Sequence, residues 1–263
     1  MRNLIYVNRM RLKKSRIFRA GVIVSMAYAA FLLFMNYQEM ADSPETVISY
    51  LNWYFLSTLP VASVFCSVFS GMFLGTEYSD GTIRNKLMVG HTRKEIYCAN
   101  LIAVFSANVF VYLAGCLVVA VVGIPMFGWN IADSPVLLVF RMFSGILMLG
   151  GYAGIFTLLS MLIDSKAVSA AGCMIFYAIL FIGSPFLQTA VYSYYGKVPW
   201  NHVPDKSIQP LLEFLYDFLP SGQAIQISGA IILHPYRLPM YSVICIVLTT
   251  VCGMAVFAKK DLK

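Results

Sequence analysis

Residues 77–95 read EYSDGTIRNKLMVGHTRKE and lie between two long apolar runs. Seven charged residues fall in these 19 positions, in a chain with only 19 basic and 12 acidic residues over its 263 positions. Around this stretch almost every residue is compatible with lipid. Apolar residues make up 59% of the chain and charged residues 12%, about half the charged share of a soluble domain. Too little polar surface remains to solvate a globule of this length, so the expectation is an all-α protein that crosses a membrane several times.

A helix needs about 20 apolar residues to cross the hydrocarbon core. Six segments qualify, at about 17–37, 56–76, 96–122, 137–163, 167–187 and 240–258. Pro60 lies within the second, where a membrane helix tolerates it if a neighbour satisfies the freed carbonyl. Asp164, Ser165 and Lys166 alone separate the fourth and fifth, which fits a tight turn between antiparallel helices. No internal repeat or low-complexity tract stands out, and the expectation is one membrane domain over residues 1–263. No small-residue cleavage pattern follows the first apolar run, so no signal peptide is expected. Cys66, Cys98, Cys116, Cys173, Cys245 and Cys252 all sit in or beside apolar runs. They read as small packing residues, and no disulfide framework is implied.

Basic residues stay on the cytoplasmic side during insertion. Arg2, Arg9, Arg11, Lys13, Lys14, Arg16 and Arg19 precede or open the first span. Arg84, Lys86, Arg93 and Lys94 lie between the second and third. With Lys166, Lys259, Lys260 and Lys263 they make up 15 of the 19 basic residues. The opposite side carries Lys197, Lys206 and Arg237, with Arg141 near the outer end of the fourth span, and its first loop holds Glu39, Asp42 and Glu45. Both termini and residues 77–95 are therefore expected in the cytoplasm of a cell-membrane protein. Topology accounts for the net charge of +7, and nucleic-acid binding is not implied. Within residues 1–16, Arg2, Arg9, Lys13 and Arg16 share one arc of a helical wheel, with Leu4, Val7, Met10, Ile17 and Phe18 broadly opposite and Arg11 and Lys14 interrupting. Such a helix can lie in the membrane interface on anionic lipid heads. A plain topological anchor is the other reading.

The opening stretch is punctuated like a helix. Ser79 and Asp80 are good N-caps, and Gly81-Thr82 opens the next turn. Residues 83–89 can form about two turns, and Gly90 suits a left-handed end. Thr92 and Glu95 form a capping box for the third span. Ile83 and Leu87 share a face flanked by Arg84, Asn85 and Lys86, so the short helix is shaped either as a plug for a partner's groove or as a solvated turn. Here the sequence resembles the ATP-binding-cassette type-2 permease family, and in particular the single-domain permeases of Gram-positive bacteria. Glu77, Gly81, Thr82, Ile83, Leu87 and Arg93 match the family signature, while Gly90-His91 replace a proline often found before the arginine. The layout matches as well: a basic start, six spans and a long last outer loop.

The resemblance implies a coupling helix, with Glu77, Asp80, Gly81, Thr82, Ile83, Arg84, Lys86, Leu87 and Arg93 as the site that engages a separate ATPase subunit. It also implies ATP and Mg on that partner, a second permease copy or paralogue, and a cargo drawn from lipids, peptides, antibiotics or polysaccharides. Largely uncharged spans favour an amphipathic or hydrophobic cargo. In the outer loop at about 188–239, Leu211, Leu212, Leu215, Phe218 and Leu219 have helical spacing. Pro220-Ser221-Gly222 breaks the run, and a second segment follows at 223–233. Re-entrant helices are implied by the resemblance; a folded outer cap is the alternative.

The chain contains no G-x-x-x-x-G-K-[ST] loop and no G-x-S-x-G elbow, so no catalytic role is expected. His91, His202 and His234 are too scattered for a zinc site, and no acidic residue lies deep in a span. Arg141 is expected to snorkel outward, toward Asp133. Gly150 and Gly154, with Gly145 and Gly151 nearby, and the small residues Ala167, Ser169, Ala170, Ala171 and Gly172 permit close helix contacts. These fall within one subunit or at a seam between two copies. In the family, spans one and five border the partner permease, and such a seam would give the transport path walls from spans one, two and five. A membrane anchor or sensor that recruits a cytoplasmic partner without transport is the competing function.

Overall fold

A computed structural model describes residues 1–42, 50–132, 134–196, 205–229 and 232–260. Glu45, Asp133, Lys197, His202 and Lys263, and the side chain of Asp42, lie outside the described residues. Every regular element among those described is helical: α1 (Arg2–Lys14), α2 (Arg16–Asp42), α3 (Leu51–Ser79), α4 (Thr82–Met88), α5 (Arg93–Val118), α6 (Ile124–Phe127), α7 (Pro135–Leu162), α8 (Lys166–Tyr194), α9 (Gln209–Phe218), α10 (Pro220–Ser228) and α11 (Arg237–Lys259). A π-helical stretch, Val119–Gly123, joins α5 to α6. It ends two residues before Pro125, which has no N–H to continue an α-helical ladder. Six helices are long and apolar enough to cross a membrane: Arg16–Met40, Leu51–Ser79, Arg93–Phe127, Pro135–Leu162, Lys166–Tyr194 and Arg237–Lys259. The third therefore runs past the end expected from sequence, through the π turn.

Helices α3 and α7 form the interior. Their most apolar windows are 72% and 67% buried, against 17–33% in the other four spanning helices. In lipid the hydrophobic effect does not drive helices together, so close contact depends on small residues and polar bonds. Gly150 and Gly154 of α7 face Ile246 and Thr249 of α11. The small patch opening α8 meets α3 at a second glycine pair that the sequence reading passed over. A methyl group on Gly71 would stand 2.5 Å from the Ala170 Cα, and one on Gly75 would stand 2.8 Å from the Lys166 Cα. Both small-residue sets thus make contacts within this chain.

Pro60, inside α3, cannot donate to the carbonyl of Leu56. Ser228, the last residue of α10, supplies the missing proton, with its Oγ 3.2 Å from that carbonyl oxygen. A helix from the loop before the last span is thereby tied to the backbone of the second span. Pro220 begins α10 rather than breaking it, as suits a residue whose absent N–H falls in a first turn. Its ring lies near Gly151, midway along α7. Asp217, 1% exposed, holds this region together. Its carboxylate accepts from Gln226 Nε2 at 3.0 Å and pairs with His234 at 3.1 Å and Arg237 at 3.6 Å. Its backbone carbonyl accepts from Gln223 at 2.8 Å, so α9, α10 and α11 converge on one acid.

Asp133, toward which Arg141 is expected to reach, lies outside the described residues; among those described, Arg141 is held by the end of α10. It is 6% exposed and donates to the Gly229 carbonyl at 3.1 Å. That carbonyl closes the C-terminal end of α10, where helix dipoles favour a cation.

Candidate coupling site

The face of the bundle that carries Met1, Glu95, Asp164 and Lys260 is built around α4. Asp80 ends α3, and Gly81 adopts a left-handed conformation (φ 64°) with open space where a side chain would be. The N-cap of α4 is thus Gly81, and neither Ser79 nor Asp80 caps it as expected. Thr82 instead turns back, its Oγ1 donating to the Glu77 carbonyl at 3.1 Å. At the far end, His91 N–H bonds the Lys86 carbonyl and Gly90 N–H bonds the Leu87 carbonyl, with Gly90 at φ 95°. This pair of bonds is a Schellman closure. The expected Thr92–Glu95 capping box is present at the start of α5.

Glu77 is the centre of the site, with 0% exposure. Arg11 of α1 and Lys86 of α4 both donate to its Oε1, Lys86 at 2.5 Å. Asn100 of α5 donates to Oε2 at 2.8 Å. Asn8 of α1 donates to Asn100 Oδ1 at 2.8 Å and accepts from Lys86 at 3.5 Å. The Arg11 guanidinium also lies 4.5 Å above the Phe73 ring centre and bonds the Phe73 carbonyl. One buried carboxylate therefore joins α1, α3, α4 and α5, with both of its oxygens occupied by donors. Leaving it alone in the interior would be costly, and the five charge-assisted bonds made by Glu77, Arg11 and Lys86 offset that cost.

The apolar face of α4 points inward. Ile83 is 2% exposed and belongs to the core, with Leu87 packed partly buried beside it. The expectation that these two fill a partner's groove is corrected: a seven-residue helix lying across the bundle end uses its apolar stripe on its own core. Met88 and Val89, each 78% exposed, form the outward tip, with Arg84 and Asn85 exposed alongside. Arg93 is turned aside. Its Nη1 donates to the Phe257 carbonyl at 3.0 Å and to the Lys260 carbonyl, binding α5 to the end of α11. Lys260 in turn pairs with Asp164 at 2.6 Å.

Arg2, Arg9 and Lys13 on α1, and Arg16 at the start of α2, are all exposed. Leu4, Asn8 and Leu12 are buried, whereas Val7 and Met10 are 46% and 41% exposed. The inward face is thus polar as well as apolar, and Arg11, which appeared to interrupt it, supplies its main ion pair. Sequence reasoning missed Asn8 and Asn100. Only an asparagine at the mouth of an apolar run hinted at either.

A family model described as "ABC-2 family transporter protein" matches residues 4–182. The chain belongs to the ABC-2 transporter family. A comparison with curated proteins finds no match. As an ABC-2 family protein with six apolar spanning helices, it is a multi-pass membrane protein and a permease component of a transport system. The family's membrane components are not themselves catalytic, and membership implies partnership with ABC ATPase subunits. The match covers α1 through α7 and most of α8, including the whole Glu77 network.

Proposed function

We propose that this ABC-2 protein is the permease subunit of an exporter, coupled through α4 to separate ATPase subunits that carry ATP and Mg. The observation that supports this reading is the Glu77 network. A short helix free to swivel would dissipate a push, whereas α4 is held at Ile83 by the core and at Lys86 by the same carboxylate that fixes α1 and α5. Force applied at Met88 and Val89 then passes to α3 and α5 together.

Two permeases, identical or paralogous, would enclose the path, and two ATPase chains would close on their α4 tips when ATP binds. The face carrying α4 and the described termini is cytoplasmic, in keeping with its excess of basic residues. Arg2, Arg9, Lys13 and Arg16 then lie on the lipid heads of that leaflet. At the opposite end α9 and α10 form a re-entrant pair, supported by the contact of Pro220 with the middle of α7. The cargo is amphipathic or hydrophobic.

The test is co-purification of the ATPase subunit with Met88→Asp and Val89→Asp variants. Export coupling predicts loss of both the bound ATPase and cargo-stimulated ATP turnover while the permease stays folded. Retention of both activities in the double variant would overturn the assignment of α4. Retained ATPase binding without any cargo-dependent turnover would favour a recruiting anchor over a transporter.

A further inference from the structure

A groove runs between α1 and α5, the third spanning helix, which is not among the spans expected at a seam between two permeases. Its first part, about 210 Å³, is lined by Ile5, Arg9 and Leu12 of α1 and by one face of α5. Ala99 and Ala103 are buried and form its floor, and small side chains there leave the space open. A second part, about 250 Å³, shares Ile102, Ser106 and Phe110 with the first and continues to Leu113. Ile102, Phe110 and Leu113 are exposed along its rim.

Polar capacity is confined to one end. Ser106 spends its proton on the Ala103 carbonyl at 3.0 Å, so water beyond Arg9 would lack the two to four partners it needs. The Met1 amino group meets Glu95, and Asn8 meets Asn100. Helix α1 therefore lies along the first turns of α5, and Arg9 stands at the end of the groove nearest the termini.

The charge at that end is unbalanced. Arg11 and Lys86 are spent on Glu77, Arg93 on the carbonyls ending α11, and Lys260 on Asp164. Arg2, Arg9 and Lys13, which share one arc of α1, are exposed and have no side-chain hydrogen bond or ion pair among the described residues. Helix α1 contains no acidic residue, and Glu95, the one acid of α5, already pairs with the Met1 amino group. An anion is missing at the head of an apolar groove. From Ala99 to Phe110 the helix rises about 16 Å, close to half of the ~30 Å hydrocarbon core. That is the depth one leaflet's acyl chain covers.

We infer that this groove binds one anionic phospholipid from the leaflet on the side of the termini. Its phosphate sits on Arg9, with Arg2 and Lys13 beside it, and one chain lies along Ile102 and Phe110. The inference deepens the reading of α1 as a helix on lipid heads and rests on it, but needs neither export nor ATPase coupling. An occupied groove pins α1 to α5. Asn8 and Arg11 reach Asn100 and Glu77 from that same helix, so the lipid braces the element that completes the Glu77 network.

The test uses full-length protein reconstituted in phosphatidylcholine vesicles. A trace of phosphatidylglycerol or of phosphatidylcholine is added, with the same diazirine near the end of one acyl chain, and adducts are mapped by residue after irradiation. The phosphatidylglycerol probe is expected to label Ile102 and Phe110 several-fold more than the phosphatidylcholine probe does. Val247 and Val251, exposed on α11, should take up both equally. With the diazirine near the ester, the phosphatidylglycerol adducts should move to Ile5 and Ala99. Arg9→Gln should lower groove labelling by phosphatidylglycerol to the phosphatidylcholine level and leave Val247 and Val251 unchanged. Equal labelling of the groove by the two probes in the wild-type protein overturns the inference, whether or not the variant folds. If the ester-position phosphatidylglycerol probe is then still enriched at Tyr6 and Met10, exposed on α1, the helix attracts anionic heads without holding one lipid. Enrichment at neither place overturns the lipid-head reading of α1 as well.

Discussion

At the scale of single residues, Glu77 carries the most consequence. The acid itself was legible from sequence, because it stands in the family signature and because an acid at the end of an apolar run needs a partner. Its partners were not legible. Arg11 lies 66 positions away, and the Asn8–Asn100 bond spans 92, distances over which one sequence gives no pairing signal. Removing one member of a buried ion pair strands the others. Glu77→Ala is expected to destabilise the permease by about 3 kcal/mol, the low end for such a truncation because Arg11 is 28% exposed and can partly rehydrate. Thermal unfolding in detergent would measure this. Arg11→Ala made in the Glu77→Ala background should cost much less than Arg11→Ala alone. Equal costs in the two backgrounds would mean that the pair contributes nothing.

At the scale of elements, the six spans were legible because length and apolarity suffice to find them. The short helices were harder to orient. Helix α4 was visible in its glycines and the capping box, but whether Ile83 faced the core or a partner depends on where α4 lies across the bundle, which periodicity does not encode. Opposite outcomes are therefore expected from neighbouring substitutions. Ile83→Asp should unfold or deplete the permease by burying a charge without a partner, whereas Met88→Asp should leave its unfolding temperature unchanged and lose only ATPase binding. Expression level and melting curves separate the two. The Pro60–Ser228 contact makes a second prediction at this scale. Ser228→Ala should cost about 1 kcal/mol by leaving the Leu56 carbonyl unmet, and little in a Pro60→Ala background, where residue 60 regains its own N–H. Gly71→Leu tests the α3–α8 contact missed in the sequence. With the Ala170 backbone in the way, overpacking is expected to cost about 1–3 kcal/mol or more, again read from thermal unfolding.

At the scale of the whole molecule, coupling requires that α4 and the ATPase share a compartment. Charge asymmetry argues that they do, since the face holding Arg84, Lys86, Arg93 and Lys260 is far more basic than the end holding α9 and α10. Two exposed positions report on the two ends. Asn85 lies on the outward side of α4, and Ser207 lies in the 3₁₀ turn before α9. The native cysteines give little background, because Cys66, Cys116, Cys173 and Cys245 are buried, Cys98 is half-buried against the Met254 sulfur, and Cys252 is exposed only along a spanning helix, where an aqueous reagent does not reach. A membrane-impermeant maleimide is expected to label Ser207→Cys in intact cells and Asn85→Cys only after the membrane is opened. The reverse pattern would put α4 outside, beyond reach of any nucleotide-driven partner, and the Glu77 network would then have to be explained as structural reinforcement alone.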